Sequence, residues 1–224
     1  MTTGLLMPAD FPVGAYHAVH LKIAPRRTAN EQVYNQFAGA WNAITYRYNA
    51  FAEYDDLFSA SISKYGAGPP AEERYNQERD LFGFFNNGFS TFEAFFYSAF
   101  AAGAFLQPDH FPIETPQDQR RITAASTIVA YRAAFSSDPF LAALEAALKE
   151  HAYVEMRDIR NVLSHRSAPG RTMHVAIGDE PAPDQWKLEN IVLDKTTTAT
   201  RRDRACTLLT AVMEAFRRFA NGRF

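Results

Sequence analysis

Apolar side chains recur at helical spacing along most of this chain. Val33, Phe37, Trp41, Ile44, Tyr48 and Phe51 fall three or four positions apart, which predicts a helix with one buried face running to about Tyr65. Thr28, with Glu31 three places on, has the form of a capping box at its start. Gly66-Ala67-Gly68-Pro69-Pro70 must end it. A second long helix is expected from about Ala71 to Leu106, with Phe85, Phe89, Phe92 and Phe96 on one stripe and Phe84, Phe95 and Ala102 near another. An apolar surface that wide needs cover on more than one side. Packing within the chain is the plain explanation for most of it, and a dimer interface is the alternative for part.

The later elements are shorter. After a proline-containing loop over 107–116, Thr115-Pro116 reads as a cap followed by proline at the first helical position, opening a helix to about Phe135. Asp138-Pro139 repeats the arrangement and opens a helix expected to run unbroken to Arg166. Thr172 to Ile177 and Trp186 to Leu193 alternate and carry β-branched residues on either side of a turn-rich stretch, which predicts a hairpin over about 172–194. A closing helix spans about Ala199 to Ala220. Pro8, Pro12 and Pro25 interrupt the first 28 residues, so this segment is expected as an extended arm packed through Leu5, Leu6, Phe11 and Val19. The fold class is therefore mainly α: a helical bundle over 29–224, with a small β-hairpin before the C-terminal helix.

Composition narrows the class without changing it. With 224 residues, 47% hydrophobic and 21% charged, the chain can bury a full core, and disorder or collagen-like repetition is excluded. No run has the length and apolarity of a membrane span, and the first residues lack the layout of a secretory signal, so a cytoplasmic protein without membrane contact is expected. Cys206 stands alone, so neither an intramolecular disulfide nor a thiolate-rich metal site can form. It is read as a small packing residue.

The formal charge is -2, yet it is unevenly spread. Residues 149 to 174 hold five Lys or Arg against three acids, and residues 195 to 224 hold seven against two. A local basic surface on an acidic molecule is one reading; two helices with solvated charged faces is the other.

Arg160-Asn161-Val162-Leu163-Ser164-His165 places a guanidinium, a carboxamide and an imidazole within two helical turns. These are the groups needed to cut an RNA phosphodiester without a metal, and no cofactor is expected. Arginine brings a permanent charge and a fork that fits phosphate, and histidine titrates near neutrality. Asn161 and His165, four apart, are neighbours. Arg160 lies about 140° from His165 at about 100° per residue, at the edge of a core-facing sector made by Leu144, Leu148, Ala152, Met156, Ile159 and Leu163. It must curl round the helix or meet a site completed by another element. A structural alternative has Arg160 and His165 capping the helix end and bonding nearby acids such as Asp158. His151, Asp158 and His165 recur every seven residues, but each step spans roughly 10 Å, too far for one metal. Ser164 has no nucleophile elbow around it, and no Walker loop, dinucleotide fingerprint or zinc spacing is present.

The RNxxxH hexapeptide, followed by Arg166 and a Pro-Gly turn at Pro169 and Gly170, and preceded by the aromatic segment from Gly83 to Gly103, resembles the signature of the HEPN superfamily. The resemblance covers about half the chain. It implies a helical homodimer whose shared cleft gathers Arg160 and His165 from both copies. It further implies a metal-independent endoribonuclease acting through the RNA 2'-hydroxyl, a toxin or host-defence effector, with a protein or nucleotidyltransferase-like antitoxin as partner. Arg160, Asn161 and His165 would then be catalytic, Arg157, Arg166 and Arg171 would bind RNA phosphate, and Glu93 and Asp158 would support them. A non-catalytic module of the same family, binding RNA, a nucleotide or a protein, and a plain helical dimerisation scaffold are the rival expectations.

Overall fold

The computed structural model describes residues 6–166, 168–172 and 184–224. Two long antiparallel helices form its spine: α2 (Glu31–Tyr65) and α3 (Ala71–Leu106). Both were legible, with one difference at the start of α2. Asn30, not Thr28, caps it, accepting from the Val33 backbone N–H at 3.0 Å. Thr28 instead belongs to a 3-10 turn over Ala24–Thr28 and donates to the Pro25 carbonyl. Gly66 ends the helix with φ +64, a backbone that glycine adopts without a Cβ penalty.

The N-terminal segment is not an extended arm. Residues Val13–Ile23 form α1, which buries Ala15, Tyr16, Val19 and Ile23; Leu5 lies outside the described residues. Pro12 stands just before the first turn, where a missing N–H costs nothing, and Tyr16 stacks on Trp41 with ring centroids 4.9 Å apart. The segment is tied down at Asp10, whose carboxylate takes two donors of Arg202 at 2.9 and 3.2 Å while its carbonyl accepts from Cys206 Sγ. Cys206 therefore packs and bonds between α8 and the N-terminal segment.

Beyond α3 the chain breaks more often than its pattern suggests. Helix α4 (Pro116–Arg120) is capped by Thr115 as expected, but a second box formed by Thr123 and Ser126 starts a separate α5 (Ala124–Ala134). The helix expected over 139–166 is likewise two: α6 (Pro139–Lys149) and α7 (His151–His165). A three-stranded antiparallel sheet, β1 (Gly170–Thr172), β2 (Gln185–Leu188) and β3 (Ile191–Val192), follows. Trp186 to Leu193 is thus no single strand: it folds back at Glu189, whose φ is +52, pairing Leu188 with Ile191. Arg171 pairs with Trp186 across β1 and β2; the strand expected beyond Thr172 lies outside the described residues. Helix α8 (Thr197–Arg223) closes the chain.

One contiguous cluster of buried side chains joins these elements. Phe51 meets Phe84 at 4.4 Å, Phe95 packs edge-on to Phe216, and Tyr131 gathers Phe111, Phe140 and Phe219. Each such ring, fully buried, contributes about 1.5–3 kcal/mol. By length and mean composition α3 is apolar enough to cross a bilayer, but 72% of its most apolar window is buried inside the fold. Its apolarity is that of a core helix covered on two sides.

Candidate functional site

Helix α7 carries the hexapeptide, and the link at Glu150 sets its direction. Glu150 has ψ 135 between two helices, so the chain turns at that single linking residue. The turn lets α6 pack on α8 while α7 packs on α3. It also shifts the buried sector. On α6 the core takes Phe140, Leu141, Leu144 and Ala147, and on α7 Tyr153, Met156, Ile159 and Val162. Leu148, Ala152 and Leu163, expected in one continuous stripe, are only partly buried.

Close approach of α7 to α3 depends on Gly88. A Cβ there would stand 2.6 Å from Phe51 and 3.0 Å from the Met156 sulfur. Along this seam Tyr153 packs against Phe89, Phe92 and Phe96, with Met156 level with Gly88.

Arg160 sits at the edge of the seam. Its guanidinium lies over the Phe89 ring at 4.5 Å, and its Nη2 donates to Glu93 Oε1 at 3.0 Å. The side chain is 20% exposed and Glu93 is 48% exposed, so the pair is a rim contact rather than a core one. Because Phe89 and Glu93 are the levels of α3 reached by Tyr153, the arginine leans back toward the start of α7. That is the direction in which helical side chains point. Ser90 Oγ donates to the other oxygen of Glu93 at 3.3 Å. Glu93, named above only as a supporting residue, thus meets the arginine of the motif.

His165 closes α7 as its last residue. Its ring is exposed and makes no hydrogen bond to any described residue, and the Asn161 amide, half-buried one turn earlier, is equally free. Neither Arg160 nor His165 caps the helix end. Five residues separate their Cα atoms by about 7.5 Å along the axis, and the backward lean of Arg160 adds to that. Within one chain the cation and the imidazole diverge.

The remaining candidates divide sharply. Arg157 donates from Nε to Asp158 at 2.9 Å, both on the surface; Asp158 holds a local arginine. Arg166 is exposed just past the helix, its N–H bonded to the Val162 carbonyl. Arg171 is no phosphate ligand: its side chain is 7% exposed. It donates to the Ala67 carbonyl at 2.6 Å and to Gln77 Oε1 at 3.1 Å, and it lies 3.6 Å over the Trp186 ring. Burial pulls its pKa below the ordinary arginine value. Pairing of β1 with β2 drew it inward, which periodicity cannot show.

The basic excess of the C-terminal segment is also largely internal. Arg201 binds Glu155 at 2.7 Å, Arg202 binds Asp10 and Asp55, Arg217 binds Glu214, and Arg223 binds Asp138. Among the described residues no three His, Cys, Asp or Glu side chains converge as a metal site would require.

Tyr153 was missed by the sequence reading. It is 4% exposed, and burial first, then the charge of Glu93, pushes its hydroxyl up to about 12, against the pull of Arg157 and Arg160. It stays protonated at neutral pH, beside the carboxylate that holds Arg160. The available signal was its place one turn before Arg157 and two before Arg160.

No protein-family model matches this chain, and no characterised protein or solved structure is significantly similar to it.

Proposed function

We propose that this chain is a metal-independent endoribonuclease of HEPN type whose site is completed by two copies. The observation that carries the reading is the state of the two key groups: Arg160 is held at the rim by Glu93, while the His165 ring is open to solvent and uncommitted. Their divergence within one chain favours a shared site, in which a second copy brings its own His165 toward the first Arg160.

The chemistry follows from the groups. His165 takes the proton of the RNA 2'-hydroxyl, and that oxygen attacks the neighbouring phosphorus. Arg160 stabilises the charge gathered on the phosphoryl oxygens, and the 5'-oxygen leaves with a proton from the protonated His165 of the second copy, which ends neutral. The products are a 2',3'-cyclic phosphate and a 5'-hydroxyl, and DNA is inert. Asn161, one turn from His165, orients the imidazole or donates to phosphate, while Arg157 and Arg166 supply the nearby phosphate contacts. Such an activity harms the cell that makes it unless countered, so a toxin or defence role in the cytoplasm, with a protein antitoxin, belongs to the same proposal.

Chelator-treated protein incubated with total RNA and with DNA tests this. RNA alone is cut, and His165→Ala slows the cutting by roughly 10²- to 10⁴-fold. Equal cutting by variant and parent in a titrated assay would refute it. A second reading has one observation in its favour. Arg160 already has Glu93 and Phe89 as partners, as a purely structural arginine would; a non-catalytic RNA-binding module then binds RNA and leaves it whole.

A further inference from the structure

A groove of about 480 Å³ opens between α2 and α3 on the other side of Glu93. Ala40 and Ala43 give it a low floor, while Gln36, Arg47, Glu93 and Tyr97 give it polar walls. Those walls are held in place. The Tyr97 hydroxyl donates to Gln36 Oε1 at 2.7 Å, which fixes the ring. Arg47 donates from Nη1 to the Ser90 carbonyl at 2.9 Å, and the Ser90 hydroxyl donates to Glu93 Oε2 at 3.3 Å. One serine thus sets a guanidinium and a carboxylate side by side, yet no ion pair joins the two within 4 Å.

Both retain capacity. A carboxylate accepts about four hydrogen bonds and a guanidinium donates five; Glu93 has taken two, from Arg160 and Ser90, and Arg47 has given one. Of the nucleobases, guanine fits this pair on both edges. Its N1–H and N2–H donors lie together and suit a carboxylate, while its O6 and N7 acceptors suit an arginine fork. Adenine would turn the N1 lone pair toward Glu93. Cytosine offers one donor beside an acceptor, and uracil a donor flanked by two acceptors. The half-buried Tyr97 ring supplies a wall on which a base can stack.

We propose that the α2–α3 groove is a guanine-binding subsite, seating the base of a nucleotide adjoining the phosphate at Arg160. It rests on the reading of the chain as RNA-directed, with Glu93 as the residue common to both places. Arg47 and Glu93 then decide which base occupies the groove, and the enzyme cuts beside guanosine.

Binding is measured with His165→Ala protein and 2'-O-methylated heptamers UUUGUUU and UUUAUUU, which cannot be cleaved. The guanine oligomer is expected to bind about tenfold tighter. Glu93→Gln and Arg47→Gln each remove most of that preference. Gly39→Leu is the folding-safe variant, because a Cβ at this groove-lining position meets nothing within 4 Å and leucine favours a helix over glycine. It narrows the groove and brings guanine binding down to the adenine level. Equal affinities, or a guanine preference untouched by all three variants, overturn the subsite. So does a change in oligomeric state alone with Gly39→Leu, which would give the groove to a second copy. Cleavage of RNA without base preference overturns the subsite and leaves the nuclease standing; guanine-selective binding without cleavage does the reverse.

Discussion

Arg160 and Glu93 join α7 to α3 by a 3.0 Å hydrogen bond, with the arginine also lying on Phe89. The contact fixes the cation of the motif in a position its own helix does not dictate. Since the pair is partly solvated, its ionic part is worth only about 0.2–1 kcal/mol, and the Phe89 contact adds about 0.5–1 kcal/mol. Arg160→Ala should lower unfolding stability by about 1–2 kcal/mol and Glu93→Gln by less than about 1 kcal/mol. Urea midpoints of both single variants and the double variant should show positive coupling. Strict additivity would mean that the pair does not hold the arginine in solution.

Arg171 separates structural arginines from surface ones. Arg171→Ala uncovers one face of Trp186 and takes the donor from the Ala67 carbonyl and from Gln77 Oε1, at a cost of about 2–3 kcal/mol. RNA affinity of the folded variant should keep its salt dependence. Arg166→Ala, at an exposed site, should leave stability alone and reduce the salt slope by about 1. The opposite pattern would return Arg171 to the RNA-facing surface.

Gly88→Ala tests the seam itself. The substitution gains about 1 kcal/mol of helix propensity, but the new methyl must displace Phe51 and Met156, a strain of about 1–3 kcal/mol. A lowered thermal midpoint is expected. An unchanged or raised midpoint would show that α7 yields without cost.

Acid should act through carboxylates whose pKa values are shifted in opposite directions. Hydrogen bonds from Thr115 hold Asp118 below 3.8, and bonds led by that from Thr196 hold Asp194 below it. Each contributes stability that is present above the unfolded value and lost as pH falls through the lowered folded value. Burial raises Asp80 against the pull of Arg79, so stability falls as pH climbs from 3.8 through its raised value. Asp194→Asn should therefore destabilise at pH 7, Asp80→Asn should stabilise there, and both differences should fade at pH 2.5. Urea midpoints at the two pH values decide it.

Turn and cap chemistry was legible wherever it was local. Gly66 to Pro70, Thr115-Pro116 and Asp138-Pro139 delimit helices in the structure as they do on paper, because a positive φ, a side-chain cap or a missing N–H needs only its neighbours. The break before Ala124 carries a cap of the same kind, the box of Thr123 and Ser126, which the sequence reading passed over; the break at Glu150 carries no comparable mark. There the chain turns because α6 packs on α8 while α7 packs on α3, and without that divergence the two could have continued as one helix. For the same reason α1 looked like an arm: its short apolar face has meaning only once α8 lies against it and Arg202 holds Asp10.

By itself, then, the order of residues determined the mainly helical architecture, the long α2–α3 pair and the proximity of Asn161 to His165, all consequences of spacing along a single helix. Tertiary structure alone decided that Arg171 is buried, that Arg160 leans back onto Glu93, and that Arg47 comes to stand beside that acid. Those outcomes rest on contacts between residues far apart in the chain, and their direction depends on how helices cross rather than on any pattern within one of them.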